Sequence, residues 1–346
     1  MSSLTTTAAK AKENAKHVLF YFPSMKHIAT KISTTTKKDI KLGECNFNHF
    51  ADGWPDLLIK DANALSSYES VTFLGDFHSH ETIFEQLAVI YALPRHRCKN
   101  FQIVIPFFPT GTMERIDHVG QVATAMTFAR CLSSTPPCAS GPANIIILDI
   151  HALQEQFYFS DNVLVQLESC AGLLRKKLSM MEGFGSFSRN MDESAEQEQF
   201  VIAFPDDGAQ KRFGSSFHDY PQILCGKVRD GEKRIVTVKE GQEYLEEGGN
   251  VHVVIVDDLV QTGGTLIKCA EAITKLGGQG TNLKVSCFVT HAVFPNESWK
   301  KFISGEKKNS VFHRFWITDS CPSSVLLEGK APFEIISIAP IVAKII

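Results

Sequence analysis

One stretch of the chain constrains the fold more than any other. Residues 253–256 are four consecutive β-branched side chains, which is typical of a parallel strand buried on both faces. Two carboxylates follow, Asp257 and Asp258, and then a turn and a run with helical spacing at 266–273. The turn carries hydroxyls and glycines: Gln261, Thr262, Gly263, Gly264 and Thr265. Such a strand, turn and helix direct backbone N–H groups to one place at the positive end of a helix, which predicts a phosphate site.

The spacing of apolar runs predicts an α/β fold. A chain of 346 residues is long for one domain, and strands that alternate with helical patterns such as 81–92 and 121–131 favour mainly parallel sheets flanked by helices. The candidate strands are 18–22, 71–74, 101–106, 145–149, 200–204, 222–225, 251–257, 283–290, 315–318 and 333–338. We expect a tail at 1–16, a first domain at 17–165 and a second, similar domain at 166–346. A polar, glycine-bearing insertion is expected at 182–198.

Composition excludes several classes of partner. The net charge of −3 gives no basic field for nucleic acid, and no apolar run approaches the ~20 residues that span a membrane. The nine cysteines are scattered singly, as in a reducing compartment. The first twelve residues are hydroxyl-rich and basic, a bias that organelle transit peptides share, but Glu13 and an early strand favour a short tail and a cytoplasmic location.

Three further segments place charged side chains beside strand ends. Asp149 and His151 follow the strand at 145–148, and residues two apart on a strand face the same side, so both can meet one ion. Asp206 follows another strand and precedes a helix, where it can cap that helix, bind a metal, or do both. Lys227 and Arg229 lie in a basic, glycine-containing segment that, taken alone, is also compatible with a solvated charge run.

Together these segments resemble type I phosphoribosyltransferases and, more fully, the phosphoribosyl pyrophosphate (PRPP) synthetases. The resemblance runs from about residue 18 to the last residue and includes the run 154–159 after His151. It implies two phosphoribosyltransferase-like domains, with ribose 5-phosphate on Asp257, Asp258 and the turn 261–265. It also implies that His151, Asp149 and Asp206 hold Mg²⁺. Lys227 and Arg229 match a flexible catalytic loop of the family, where cations neutralise developing phosphoryl charge.

The nucleotide side departs from the usual family pattern. In the segment 105–117, Thr112 and Met113 occupy the places of an arginine and a glutamine, which leaves Arg115 as the phosphate contact. Phe50 and Asp52 match a loop that contacts adenine and reaches a neighbouring subunit. These departures resemble the plant-type, class II synthetases, which are described as looser in nucleotide choice.

The resemblance implies a ribose-phosphate diphosphokinase that uses Mg-ATP and ribose 5-phosphate and gives PRPP and AMP. It also implies a homo-oligomer with active sites near subunit interfaces. Two alternatives remain open at this stage. One is a non-catalytic, synthetase-associated subunit, motivated by the altered nucleotide segment; the other is a phosphoribosyltransferase that consumes PRPP.

Overall fold

A computed structural model describes residues 16–346 except 37, 110–115, 188–197, 231–232, 247–248, 279 and 304–310. The chain divides into two compact units. Unit 1 contains the residues up to Ser169 together with Ser337–Ile346, and unit 2 is Cys170–Ile336. The division therefore falls four residues later than the expected boundary at 165, and the end of the chain belongs to unit 1.

Unit 1 contains a six-stranded parallel sheet and a separate antiparallel hairpin. The sheet strands are β1 (His17–Tyr21), β2 (Ile40–Leu42), β5 (Ser70–Leu74), β6 (Asn100–Ile105), β7 (Ala143–Leu148) and β8 (Val163–Glu168), and the hairpin is β3 (Cys45–His49) and β4 (Pro55–Ile59). The sheet order is β2-β1-β5-β6-β7-β8. All five residues of β5 are buried, as expected for an inner strand covered on both faces.

The helices of unit 1 are α1 (Lys26–Thr35), α2 (Ile83–Ala92), α3 (Thr124–Ser133) and α9 (Ala339–Ile345). Short 3₁₀ turns lie at Pro23–Met25, Ala62–Ser67, His80–Thr82, Leu93–His96 and Leu153–Tyr158. Helix α9 packs on α1. The facing sides are apolar, since Ile28 and Ile32 of α1 and Val342 of α9 are fully buried. This apolar contact explains why the end of the chain belongs to unit 1.

Unit 2 is built on a seven-stranded sheet. Its strands are β9 (Gln199–Phe204), β10 (Gln222–Asp230), β11 (Lys233–Glu240), β12 (Gly249–Val260), β13 (Thr281–Ala292), β14 (Phe315–Thr318) and β15 (Phe333–Ile336). Its helices are α4 (Ala171–Phe187), α5 (Asp207–Phe213), α6 (Glu243–Glu246), α7 (Gly264–Leu276) and α8 (Ser323–Leu327), with 3₁₀ segments at Gly214–Phe217 and Pro295–Phe302. The order is β11-β10-β9-β12-β13-β14-β15, parallel throughout except for the β10–β11 pair.

The two sheets share one connectivity. In unit 1 the chain passes from β1 to β2 on one side and then to β5 on the other; in unit 2 it passes from β9 to β10 and then to β12. Helices link the parallel strands in both units. The predicted α/β class with two similar, mainly parallel domains is therefore confirmed. Within the described residues, no helix combines the length and apolar character that crossing a bilayer requires.

The structure differs from the sequence-based expectations at edges and loops. Strands β2, β3, β4, β8 and β11 were not predicted, because they are short, lie at edges or form hairpins, and so lack a continuous apolar run. Helix α4 continues to Phe187, so the first residues of the expected insertion 182–198 are helical; residues 188–197 lie outside the described part. The basic segment after residue 225 is not a loop at its start but a continuation of β10.

Candidate active site

The turn at 261–265, which we call the phosphate turn, is shaped by a glycine. Gly263 has a φ of 71°, a left-handed conformation that side-chain-bearing residues rarely adopt, and a Cβ there would lie 2.3 Å from the Phe302 ring. The amide of Ile267 donates to the Gly263 carbonyl at 3.1 Å, which closes the first turn of α7. The amides before Ile267 have no helical acceptor, because the first N–H groups of a helix point outward.

A residue outside the phosphate turn fixes its first carbonyl group, and the turn is open to solvent. The Ser298 hydroxyl donates to the carbonyl of Gln261 at 2.8 Å, which fixes the start of the turn. Thr262 is exposed and Thr265 is partly buried. Two hydroxyls and the first-turn amides of a thirteen-residue helix therefore border one place, and such a place favours an anion.

The two aspartates lie within β12 rather than beyond its end. The strand continues to Val260, because it pairs with β13 as far as the Val260–Ala292 register pair. Asp258 is 5% exposed, and its Oδ2 lies 2.8 Å from Nη1 of Arg212 on α5. Burial, followed by the negative charge of Asp258, raises the pKa of Asp257 well above its ordinary value. A carboxyl group with this property binds hydroxyls or a cation readily, because either relieves its unfavourable charge.

Asp206 caps helix α5 as the sequence indicated. Its Oδ1 accepts hydrogen bonds from the amides of Gly208 and Ala209, both at 3.0 Å. The negative charge of Asp206 also raises the pKa of Asp257, so these two carboxylates interact electrostatically. Among the described residues, no three His, Cys, Asp or Glu side chains are arranged to enclose a metal. This donor set fits Mg²⁺, which takes one or two protein carboxylates and completes its shell with water and phosphate oxygens.

Lys227 and Arg229 lie in the β10–β11 hairpin, and only their backbone is described. Lys227 registers with Val236, and Arg229 registers with Arg234. These two positions lie in a strand and not in a loop, because antiparallel pairing extends β10 to Asp230. The candidate nucleotide-binding residues Thr112 and Arg115 lie outside the described residues.

Asp149 and His151 are not placed by a strand. Strand β7 ends at Leu148, and Asp149 has a φ of 37°, so the chain leaves the extended conformation before either residue. The argument that residues two apart face the same side therefore does not apply to them. Asp149 is 5% exposed, and its amide donates to the Glu168 carbonyl at 2.8 Å, whereas His151 is partly buried.

Phe50 and Asp52 lie at the tip of the β3–β4 hairpin. Asp52 Oδ1 accepts a hydrogen bond from the amide of Trp54 at 3.0 Å, which shapes the tip, and Phe50 is 56% exposed. Trp54 is also exposed and packs edge-on against Phe84. Beside them is a cavity of about 340 Å³ that includes Asp52, Trp54 and Glu85 in its lining.

Arg212 is the main residue whose role the sequence did not reveal. It was visible only as the second base of a Lys-Arg pair after the Asp-Gly turn. The structure shows that it neutralises Asp258, whereas the neighbouring Lys211 is exposed. Ser298 and Phe302, which support the phosphate turn, gave no sequence signal.

Comparison with known proteins identifies the family. No protein-family model matches the chain. A rice protein named ribose-phosphate pyrophosphokinase 3, chloroplastic, is 44% identical over 342 residues, covering 98% of this chain and 77% of its own. A spinach protein named ribose-phosphate pyrophosphokinase 3, mitochondrial, is 45% identical over 95% of this chain and 76% of its own. An Arabidopsis ribose-phosphate pyrophosphokinase 4 is 44% identical over 99% of this chain and 95% of its own.

A solved structure agrees on the fold. The phosphoribosylpyrophosphate synthetase of Mycobacterium smegmatis superposes with a TM-score of 0.69 at 18% identity, covering 95% of this chain and 97% of that one.

The relatives also correct one expectation. The prediction of a cytoplasmic location is wrong, because the rice and spinach relatives are named as chloroplastic and mitochondrial proteins. That prediction rested on Glu13 and an early strand, and neither feature excludes an organelle. The similarity to the plant enzymes extends over nearly the whole chain. Together with the fold and with the phosphate turn that follows β12, it shows that this chain belongs to the ribose-phosphate pyrophosphokinase family.

Proposed function

We propose that this chain transfers the β,γ-diphosphoryl group of Mg-ATP to the C1 hydroxyl of ribose 5-phosphate, giving PRPP and AMP. The observation that carries the proposal is the phosphate turn 261–265 placed directly after Asp257 and Asp258 on β12. In this step the C1 oxygen bonds to the β-phosphorus. The bond from that phosphorus to the α,β-bridging oxygen breaks, and AMP leaves with the electron pair.

The phosphate turn binds the 5-phosphate of the sugar. The first-turn amides of α7 donate to phosphate oxygens, and the hydroxyls of Thr262 and Thr265 add two more donors. Gly263 gives the turn its left-handed conformation, and Gly264 begins the helix. Gln261 brings no negative charge to the site, so it does not repel the dianion.

The acidic pair binds the ribose hydroxyls. Asp258 pairs with Arg212 at 2.8 Å, which orients its carboxylate for a hydroxyl. Asp257 has an elevated pKa from burial and its neighbour, so a donated hydrogen bond from a sugar hydroxyl stabilises its charged form. The pair therefore fixes the orientation of the sugar ring and of its C1 hydroxyl.

Mg²⁺ is the cofactor that these side chains suit. Asp206 uses one carboxylate oxygen to cap α5 and has a second oxygen for the ion. From the family resemblance we also propose His151 and Asp149, which lie in unit 1, as Mg²⁺ ligands. When bound, the ion neutralises charge on the triphosphate and fixes its geometry.

Lys227 and Arg229 are proposed as the catalytic cations. Phosphoryl-type transfer depends mainly on positioning and on neutralising the charge that develops on the transferred group. Two cations on one strand-paired segment suit that task better than two on an unconstrained loop, because less order is lost when they engage.

ATP is the proposed donor, bound through Phe50, Asp52, Thr112 and Arg115. Phe50 offers an exposed ring for the base, and Asp52 shapes the hairpin tip that carries it. We further propose a homo-oligomer in which this tip contributes to an active site near a subunit interface. Exposed aromatic side chains such as Phe50 and Trp54 are typical of surfaces that are covered in an assembly.

An assay of the purified chain tests the proposal directly. Incubation with ATP, Mg²⁺ and ribose 5-phosphate should release AMP in equal amounts with PRPP, and omission of the sugar phosphate should abolish AMP release. The matched variant Asp258→Asn should bind ribose 5-phosphate weakly. A chain that releases no AMP, but stimulates a catalytic relative when mixed with it, would instead be the associated subunit.

A further inference from the structure

Unit 1 contains a second place where its topology favours ligand binding. Open parallel sheets bind ligands outside the carboxyl ends of neighbouring strands from which the chain departs in opposite directions. In unit 1 these strands are β1 and β5, since the chain goes from β1 to β2 on one side and later to β5 on the other. The equivalent strands of unit 2 are β9 and β12: Asp206 lies two residues after β9, and the acidic pair lies on β12.

The loops after β1 and β5 are joined by a buried carboxylate. Ser24, three residues after β1, donates its hydroxyl to Oδ2 of Asp76, which lies two residues after β5. Asp76 is 3% exposed. Its amide donates to Oε1 of the fully buried Gln86 at 2.8 Å, and its carbonyl accepts from the Gln86 amide nitrogen. Asp76 is therefore fixed at both backbone and side chain.

This fixed carboxylate orients a histidine. Nδ1 of His78 lies 2.7 Å from Oδ1 of Asp76, so Nδ1 carries the proton and Nε2 is directed away from the carboxylate. The His78 side chain is 40% exposed, so part of the imidazole ring is open to solvent. The hydrogen bond to Asp76 and the negative charge of Asp76 both raise the pKa of His78. The buried carboxylate of Asp76 stabilises the imidazolium form of His78, and in that form Nε2 also carries a proton and donates a hydrogen bond. In the neutral form Nε2 has a lone pair and accepts one.

We propose that His78, held by Asp76 and Ser24, donates from Nε2 to a phosphate oxygen of the nucleotide. This inference rests on the proposed function, because it assigns a contact for the nucleotide in unit 1. Nucleotide phosphates are the anions that a diphosphoryl transfer must hold in addition to the sugar phosphate. Positions 112 and 113 hold a threonine and a methionine and no arginine, so the nucleotide phosphates need a hydrogen-bond donor from elsewhere.

The test compares His78→Gln with a matched control, His80→Gln. His80 is an exposed histidine two residues further along, at the start of the 3₁₀ turn His80–Thr82. Calorimetry would measure binding of α,β-methylene-ATP, adenosine and ribose 5-phosphate to each protein, with AMP release assayed in parallel. We expect His78→Gln to weaken α,β-methylene-ATP about tenfold, the usual effect of losing one hydrogen bond to a charged group, while adenosine and ribose 5-phosphate bind as before. His80→Gln should match the unaltered protein.

The pH dependence separates charge from shape. The affinity of the unaltered protein for α,β-methylene-ATP should fall between pH 6 and pH 8.5 more than that of His78→Gln. Three results would each overturn the inference. The first is equal affinity of His78→Gln and the unaltered protein for α,β-methylene-ATP. The others are an equal loss of affinity for adenosine and for the analogue, and a loss of affinity for ribose 5-phosphate alone. A variant with normal analogue binding and normal AMP release rejects this contact but keeps the proposed function. Analogue binding that depends on His78, in a protein that releases no AMP, keeps this contact but rejects the proposed function.

Discussion

Arg212 and Asp258 form an ion pair that joins helix α5 to strand β12, with Nη1 and Oδ2 2.8 Å apart. Their side chains are 14% and 7% exposed, so both charges are largely removed from water. Removal of one partner from such a pair leaves an uncompensated buried charge. The acidic pair therefore depends on a residue that itself has no assigned contact with substrate.

Arg212→Ala should lower the free energy of unfolding by about 3 kcal/mol, because Asp258 then remains buried without its counter-charge. Urea unfolding at pH 7 measures this change. The matched control is Lys211→Ala, which removes an exposed cation from the same helix and should change stability by less than about 0.5 kcal/mol. Equal effects of the two substitutions would contradict the role assigned to the pair.

The two neighbouring aspartates should respond oppositely to neutralisation. Burial and Asp258 raise the folded-state pKa of Asp257, so its carboxyl group stabilises the fold below the ordinary carboxyl pKa, and this contribution is lost as pH rises through the folded pKa. Asp257→Asn should therefore be more stable than the unaltered protein at pH 7, by roughly 0.5–2 kcal/mol, while its affinity for ribose 5-phosphate falls. Asp258→Asn should be less stable at pH 7, because Arg212 loses its partner.

Unfolding curves at pH 4 and pH 7, recorded with a chelator present, measure both effects. The advantage of Asp257→Asn should shrink at pH 4, since the unaltered carboxyl group is then largely protonated in the fold. An Asp257→Asn variant less stable than the unaltered protein at pH 7 would show that its charge is favourable in the free enzyme.

Gly263→Ala should disrupt the phosphate turn. The added Cβ meets the Phe302 ring at 2.3 Å, and φ is 71°, so the substitution combines a clash with backbone strain. We expect a loss of roughly 1–3 kcal/mol in unfolding free energy and a loss of ribose 5-phosphate binding by calorimetry. The control Gly264→Ala places its Cβ 4.0 Å from the Thr262 hydroxyl, an ordinary van der Waals distance, and should fold as stably as the unaltered protein. A stable Gly263→Ala variant would mean that the turn tolerates another conformation.

Lys227→Ala should lower kcat far more than it changes KM, because a cation that neutralises developing charge acts mainly in the transition state. A decrease of about 100-fold or more is expected, comparable with the loss of an oxyanion-stabilising donor. Steady-state AMP release measures both constants. Lys60→Ala is the control, since Lys60 pairs with Glu44 at 2.7 Å on the exposed surface of unit 1. A change confined to KM would assign Lys227 to ground-state binding only.

The sequence predicted the inner strands well because their signal is local. All ten candidate strands correspond to observed strands, and the run at 253–256 is fully buried in β12. Strand ends were less predictable, because pairing decides them. Asp257 and Asp258 belong to β12 since β13 continues beside them. Asp149 leaves β7 at a positive φ, and an aspartate permits this conformation without requiring it.

The site was predictable where one segment carries it and not where distant segments meet. The phosphate turn and the cap at Asp206 could be predicted from contiguous residues. The Arg212–Asp258 pair, the Ser298 support of Gln261 and the contact of Phe302 with Gly263 depend on packing between elements far apart in the chain. Lys227 was predicted in a loop because the antiparallel partner β11 has no continuous apolar run.

A crystal structure of the chain with ribose 5-phosphate tests the central claim most directly. The account predicts the phosphate group against the amides of residues 262–265, with ribose hydroxyls on Asp257 and Asp258. A sugar phosphate bound elsewhere, with the turn blocked by neighbouring side chains, would contradict it.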